Sequence, residues 1–202
     1  MRNRIIAVVV AFLMSVIASA QQKGKVLMIV NEAKSEDLEL MLTKEVGVMK
    51  DLLRKSGFEV VTATGSGQPL RAESAALNPD LKLKDVIIAE YKGVIIPCMA
   101  TSASALAPEG NAIIRQAVEK GIPIAAQTGS VVLLSKAGVL KGKNYALAKG
   151  WPLLSEAVYG GEGIVQDGKI ITSGICPMMA KSTGIPDGTV RLTEALIHEL
   201  RK

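Results

Sequence analysis

The feature that most constrains the fold of this chain is a series of short apolar runs without alternation of polar and apolar residues. Such runs, rich in β-branched side chains, occur at 25–30, 58–62, 94–97 and 122–126. Continuous apolar strands are typical of parallel sheets that helices cover on both faces, whereas half-exposed strands alternate. The pattern therefore predicts a doubly wound α/β domain with a mainly parallel central sheet.

Helical periodicity fills the intervals between these runs. Apolar residues between Leu38 and Leu53 recur at helical spacing, which predicts a helix that begins at an N-cap Ser35 and ends near Gly57. Further helices are predicted at 109–120, 130–138 and 188–200. Asp167-Gly168 predicts a hairpin turn between two short strands, and the last helix is expected to leave His198 exposed.

The N-terminus has the composition of a secretory signal peptide. Arg2 and Arg4 precede an apolar run at 5–17, and Ala-Ser-Ala at 18–20 forms a cleavage signal. The apolar run is shorter than the roughly 20 residues that span a bilayer. We therefore expect residues 1–20 to be removed and residues 21–202 to form a single exported domain, periplasmic or secreted, without stable membrane insertion.

Charge and composition exclude several classes of function. Removal of Arg2 and Arg4 leaves 22 basic against 19 acidic residues, so the net charge falls from +5 to +3, and only 3% of residues are aromatic. A spread of lysines with few aromatic residues predicts no nucleic-acid partner. His198 is the only histidine, which excludes a site with several imidazole ligands. No resident cofactor or metal is predicted.

Candidate site residues follow the predicted strands, because ligands of open α/β sheets bind beyond the carboxyl ends of the strands. Glu39, on the first helix, lies near the same edge. In an oxidising compartment the two cysteines of this chain can pair, and the sequence leaves open whether they form a disulfide. The residues that follow the strands are Cys98, Met99, Gln127, Thr128, Gly129 and Cys176.

Four segments together resemble the DJ-1/PfpI family. They are SEDLEL at 35–40, YKGVIIP at 91–97, AAQTGS at 125–130 and DGKIITS at 167–173. The resemblance extends in order from about residue 25 to 200. It implies a flavodoxin-like three-layer sandwich, which in this family usually forms a homodimer.

The resemblance also implies a site, from which this chain departs. Family members carry a cysteine nucleophile at a sharp strand-to-helix turn, and a glutamate of the first helix contacts it. The glutamate matches Glu39, and the nucleophile aligns with Gln127, which is unable to act as a thiolate. Cys98 and Met99 stand where the family typically has two glycines. The elbow at Gln127 is therefore predicted to be catalytically inert.

Three functions remain open from the sequence. The first is a noncatalytic relative whose pocket either binds a small polar or carbonyl ligand or merely persists as a structural remnant. The second is a hydrolase, glyoxalase or deglycase-like enzyme that uses Cys98 with Glu39. The third is redox or soft-metal handling by Cys98 and Cys176, with Met178 and other methionines nearby.

Two structural expectations accompany these hypotheses. Cys98 and Cys176 should lie close together, because each follows a strand that ends at the same edge of the sheet. A carboxyl group at Glu39, held partly out of water in a pocket, should have a raised pKa.

Overall fold

A computed structural model of the chain describes residues 23–32, 37–98 and 108–202. The predicted signal peptide at 1–20, the predicted N-cap Ser35 and the candidate pocket residue Met99 lie outside the described residues. None of the helices in the described part of the chain is long and apolar enough to cross a membrane.

Strands and helices alternate along the chain, as the apolar runs predict. The strands are β1 (Lys25–Ile29), β2 (Glu59–Thr64), β3 (Leu70–Arg71), β4 (Ala76–Leu77), β5 (Leu81–Lys82), β6 (Tyr91–Ile96), β7 (Ile124–Gln127), β8 (Asn144–Tyr145), β9 (Val158–Tyr159), β10 (Ile164–Asp167) and β11 (Ile170–Ser173). The helices are α1 (Leu38–Met41), α2 (Gly47–Lys55), α3 (Pro108–Glu119), α4 (Gly129–Lys136), α5 (Pro177–Thr183) and α6 (Thr189–Leu200), with a π-helical turn at Leu42–Val46 and 3₁₀ turns at Leu83–Asp85 and Ile88–Glu90.

The central sheet has seven strands in the order β10-β11-β7-β6-β1-β2-β5. All neighbouring pairs are parallel except β10 and β11, which form the predicted antiparallel hairpin. This arrangement confirms the expected α/β fold with a mainly parallel sheet. The stretch between β2 and β6 also forms the small β3–β4 hairpin and the edge strand β5.

Both faces of the sheet are buried. Leu27 and Ile29 of β1 belong to a core that includes Ile114 of α3, whereas Val26 and Met28 belong to a second core on the opposite face. That second core contains residues of α1, α2 and α6. Since successive side chains of a strand point to opposite faces, burial of both sets explains why β1 reads as a continuous apolar run.

Strand register aligns the carboxyl ends of the inner strands at one edge. Ile96 of β6 pairs with Ala126 of β7, and Gln127 pairs with Ser173 of β11. The segments that follow β6, β7 and β11 therefore meet at this edge. They carry Cys98, Thr128 and Cys176.

Candidate functional site

Two buried thiols form the centre of the candidate site. Cys98 follows β6 and is 1% exposed, and Cys176, the N-cap residue of α5, is fully buried. The two side chains are hydrogen-bonded to each other, and neither cysteine is in a disulfide. The predicted proximity of Cys98 and Cys176 is thus confirmed.

Several donors surround the sulfur of Cys176. The Cys98 thiol is the main one, and the backbone N–H groups of Met179 and Met178 contribute further hydrogen bonds. The Thr128 side chain also lies against this sulfur. These bonds favour the thiolate and lower the pKa of Cys176 to about 7, although burial acts in the opposite direction. Cys176 is therefore the sulfur that this site stabilises as an anion.

The pKa of Cys98 shifts in the opposite direction. Its hydrogen bond to Cys176, its burial and the nearby Glu45 carboxylate raise the pKa of the Cys98 thiol well above the usual value. The backbone N–H of Gly129 donates to the Cys98 sulfur at 3.4 Å, which only partly offsets these effects. In this pair Cys98 keeps its proton and donates it to the sulfur of Cys176.

The glutamate that contacts the backbone of Cys98 is Glu45. Its Oε1 accepts a hydrogen bond from the Cys98 backbone N–H at 2.8 Å, and its side chain is fully buried. Glu45 lies in the π-helical turn at Leu42–Val46, a helix irregularity that is frequent at functional sites. The sequence carried a signal for it, because Met41, Glu45 and Met49 share one helical face and only Glu45 is charged.

Glu39, the glutamate expected in the pocket, has another role. Its carboxylate accepts hydrogen bonds from the Ser74 hydroxyl and, at 2.9 Å, from the Ser74 backbone N–H. These bonds lower the pKa of Glu39 below the ordinary value for a glutamate. The expectation of a raised pKa is therefore wrong, because desolvation is weaker here than hydrogen bonding to the ionised form.

The sharp strand-to-helix turn lies at Thr128, one residue after Gln127. Thr128 has φ 44° and ψ −106°, and among the described residues it is the only one other than glycine with a positive φ. Such a conformation costs about 1–3 kcal/mol and is concentrated at functional sites. Its hydroxyl donates to the Gly174 carbonyl at 2.9 Å. The elbow position assigned to Gln127 is thus occupied by Thr128.

Gln127 is a buried hydrogen-bonding residue rather than part of the turn. Its Nε2 donates to the Ile175 carbonyl at 2.7 Å and contacts Asp187 and Thr189 at 3.2 Å. The Ile175 carbonyl also accepts the Gly188 backbone N–H, at 2.9 Å. These bonds fix the backbone immediately before Cys176.

Gly174 lets this backbone approach the neighbouring segment closely. A Cβ atom at Gly174 would lie 2.7 Å from the Leu147 carbonyl carbon and 2.8 Å from the Glu162 carbonyl oxygen. A side chain at this position would displace the segment that carries Cys176. Helix α5 has no recognisable signal in the sequence, because its seven residues are too few to show an apolar period. The close approach at Gly174 depends on segments distant in sequence and has no local signal either.

Two backbone amides of the site already have protein acceptors. The Cys98 N–H donates to Glu45, and the Gly129 N–H donates to the sulfur of Cys98. An oxyanion would have to displace one of these bonds. Among the residues that the structure describes, no three His, Cys, Asp or Glu side chains form a cluster suited to a metal ion.

Comparison with known proteins identifies the family. The family model described as the DJ-1/PfpI family matches residues 24–180. The chain belongs to the DJ-1/PfpI family. A search of curated proteins finds no matching sequence.

Solved structures of DJ-1/PfpI proteins share this fold. A ThiJ/PfpI domain protein from Brachyspira murdochii matches at a TM-score of 0.68 and 15% identity, covering 88% of this chain and 96% of that one. Drosophila melanogaster DJ-1beta matches at 0.61 and 22% identity, covering 88% and 95%. Oxidized Toxoplasma gondii DJ-1 matches at 0.58 and 22% identity, covering 88% and 98%. At these identities the comparison shows the fold alone.

Within the DJ-1/PfpI fold, this chain combines an elbow that lacks a thiol with a thiol that reaches the elbow from another segment. Thr128 occupies the turn, and its hydroxyl contacts the sulfur of Cys176. Cys176 comes from the segment after β11, and Cys98 comes from the segment after β6.

Proposed function

We propose that this DJ-1/PfpI protein is a thiol redox protein whose Cys98 and Cys176 cycle between a dithiol and a disulfide. The observation that carries the proposal is the hydrogen bond between the two buried sulfur atoms. Two thiols already in contact form a disulfide without a large rearrangement of the surrounding core. Of the three functions open from the sequence, this one uses both cysteines.

The surrounding hydrogen bonds assign different roles to the two sulfurs. Cys176, which accepts bonds from the Cys98 thiol and from backbone N–H groups, is the attacking thiolate. Cys98, which holds the shared proton, supplies that proton to the leaving group and then acts as the resolving thiol.

A small hydroperoxide is the oxidant that fits this site, because side chains with at most 1% exposure are inaccessible to a protein disulfide. The Cys176 thiolate attacks one peroxide oxygen, the O–O bond breaks, and the departing hydroxide takes the proton of Cys98 to form water. The Cys98 thiolate then attacks the sulfur of the Cys176 sulfenic acid, and the S–O bond breaks. The released hydroxide takes a proton from solvent, so that two thiol sulfurs are oxidised and hydrogen peroxide is reduced to two waters.

The related structure of oxidized Toxoplasma gondii DJ-1 supports a redox function only by analogy. The resemblance to a fold says little about chemistry, which depends on the site. The proposal therefore depends on this chain's own thiols.

Acyl transfer or glyoxalase chemistry by Cys98 with Glu39 has less support. Glu39 is bonded to Ser74, and the Cys98 thiol keeps its proton. The Cys98 and Gly129 amides donate to Glu45 and Cys98. We propose in addition that the elbow is noncatalytic, because Thr128 donates its hydroxyl to the Gly174 carbonyl; no particular polar or carbonyl ligand follows from these contacts.

Export and dimerisation are further proposals. The signal-like segment at 1–20 supports export, and family membership supports a homodimer. In an oxidising compartment the disulfide would be the resting form. N-terminal sequencing of the protein from the native host should begin at Gln21, and light scattering should give twice the chain mass; an intact Met1 or a monomer would contradict the respective proposal.

Peroxide treatment of the reduced protein tests the redox proposal. One equivalent of hydrogen peroxide should lower the intact mass by two hydrogen atoms, and a reductant should restore both thiols to alkylation in denaturant. In Cys98→Ser, Cys176 should instead accumulate a sulfenic acid, which raises the intact mass by one oxygen atom. In Cys176→Ser, Cys98 should react at least about tenfold more slowly, because its thiol is protonated. Full alkylation of both cysteines after peroxide would overturn the proposal.

A further inference from the structure

We infer that a small cavity beside the start of helix α6 is a binding site for a monocarboxylate with a short aliphatic body. The cavity has a volume of about 170 Å³, and its walls come from residues of three segments, 162–164, 173–175 and 185–191. This volume exceeds the roughly 30 Å³ of one water in the liquid and is below the roughly 300–1,000 Å³ of pockets for drug-sized ligands. The cavity therefore suits a small molecule. The inference does not rest on the proposed redox function.

The wall of the cavity contains a buried hydroxyl group without a hydrogen-bond partner. Ser173, the last residue of β11, is 1% exposed, and its Oγ has no partner among the residues that the structure describes. Gly188 leaves room for this hydroxyl, since a Cβ atom at Gly188 would overlap the Ser173 Oγ. Buried hydroxyl groups of native proteins nearly always have a partner. A ligand in the cavity would supply the missing acceptor.

Backbone hydrogen bonds among the three segments build the cavity before a ligand binds. Ser173 pairs with Ile164 in the β10–β11 hairpin. The Gly188 N–H donates to the Ile175 carbonyl at 2.9 Å. A site that is already formed loses less conformational entropy on binding than one that must order itself around its ligand.

The charged groups at the cavity favour an anion with a single charge. Arg191 lies exposed in the first turn of α6, and none of the ion pairs among the described residues includes it. Its guanidinium and the positive end of the α6 dipole attract a carboxylate. The two acids of the wall already accept hydrogen bonds. Asp187 accepts one from the Thr189 N–H at 2.9 Å, and Glu162 accepts one from the Lys149 N–H at 2.8 Å. Their negative charges disfavour a dianion such as phosphate.

The rest of the wall is apolar and favours an aliphatic body. Ile175 is 2% exposed, and Ile164 and Ile185 are half-buried at the cavity. Apolar surface of a ligand that packs against them is removed from water, which favours binding. Isovalerate combines one carboxylate with a short branched body and is therefore a suitable probe.

Calorimetric titration of the reduced full-length protein with isovalerate at neutral pH tests the inference. Wild type should bind one equivalent. Arg191→Gln and Ser173→Ala should each bind at least about tenfold more weakly, because each removes a donor to the carboxylate. Arg201→Gln, which removes the same charge at the other end of α6, is the matched control and should bind as wild type does. Absence of saturable binding, or equal affinity of wild type and Arg191→Gln, would overturn the inference.

The Ser173→Ala variant also carries an internal check on folding. Because the Ser173 hydroxyl has no partner, its removal should leave the urea midpoint of the free protein unchanged or higher. Weaker binding by a variant that is at least as stable as wild type then reports on the lost contact. A lowered midpoint would show that the hydroxyl has a protein partner, and would overturn its assignment to a ligand.

Ligand comparisons on unaltered protein make the test independent of any variant. Isovaleramide, which has the same shape without the charge, should bind at least about tenfold more weakly than isovalerate. Isoamylamine that binds as tightly as the acid would show that the acids of the wall dominate, and would overturn the inference. Methyl NMR should detect contacts of the bound acid with Ile164, Ile175 and Ile185. Contacts only with other methyl groups would overturn the location.

Discussion

At the scale of single residues, two glutamates of the first helical region have distinct roles. The Glu39 carboxylate accepts hydrogen bonds from Ser74, which lies between β3 and β4. Glu45 is buried and accepts a hydrogen bond from the Cys98 backbone. The family motif favoured Glu39 because SEDLEL at 35–40 matches in residue type. Glu45, however, is the glutamate that is fully buried and that contacts Cys98, so it is the better candidate for a role at the site.

The pKa of Glu39 should depend on Ser74. Hydrogen bonds lower this pKa in the folded protein, so the stabilisation is present above the unfolded value of about 4.3 and is lost as the pH falls through the folded pKa. Carboxyl NMR of Ser74→Ala should show the Glu39 pKa rising towards its ordinary value. Ser66→Ala, which removes the corresponding serine of Glu32, should leave it unchanged; an unaltered Glu39 titration in Ser74→Ala would contradict the assigned cause.

Glu45 should matter more as a hydrogen-bond acceptor than as a space-filling side chain. Glu45→Gln keeps an oxygen for the Cys98 N–H, whereas Glu45→Leu leaves that buried group without its acceptor. The leucine variant should be less stable than the glutamine variant by about 1–3 kcal/mol. Urea unfolding measures this difference, and equal midpoints with equal slopes would show that the bond contributes nothing.

At the scale of elements, the elbow between β7 and α4 is bonded to the segment that follows β11. Thr128 bonds backbone that follows β11, and Gln127 bonds the residue just before Cys176. The strained turn is thereby held against this segment. The hydrogen bonds that hold the strained turn therefore also position the segment that carries Cys176.

Removal of the Thr128 hydroxyl should destabilise the site. Thr128→Val keeps the shape of the side chain but removes the donor to the Gly174 carbonyl. We expect a loss of about 1–3 kcal/mol in the free energy of unfolding. Thr128→Ser keeps the hydroxyl and should recover most of it. A valine variant as stable as the serine variant would argue that the hydroxyl bond is unimportant.

At the scale of the whole molecule, the thiol pair joins parts of the chain that are far apart in sequence. Cys98 follows β6 in the middle of the sheet, and Cys176 precedes α5 near the C-terminus. Both belong to the core on the face that α1, α2 and α6 cover. Oxidation of the pair would therefore crosslink the two halves of the domain.

The disulfide form should be more stable than the dithiol form. A crosslink that closes a loop of about 80 residues is expected to add up to about 4 kcal/mol, chiefly by restricting the unfolded chain. Thermal unfolding of peroxide-treated protein, with and without reductant, measures the difference. Cys98→Ser treated in the same way should show no such rise; an oxidised wild type no more stable than the reduced protein would contradict this expectation.

Much of the fold could be read from the sequence because its signals are local. The apolar runs of β1 and β6, the Asp167-Gly168 turn and the periodicity of α6 each depend on neighbouring residues, and the structure has them at the predicted places within a few residues. The proximity of Cys98 and Cys176 was also predictable, since strand ends of a parallel sheet share one edge. Helix α5 and the β3–β4 hairpin are too short to give a periodic signal.

The sequence by itself determined the α/β fold, the family and the edge of the sheet where the candidate site lies. Only the tertiary structure decided that Thr128 is the elbow, that Glu45 replaces Glu39 at the site, and which of the two cysteines is stabilised as a thiolate. The physical reason is that secondary structure follows from periodicity along the chain. Backbone strain, burial of a carboxylate and the pKa of a thiol depend on groups that distant segments bring into contact.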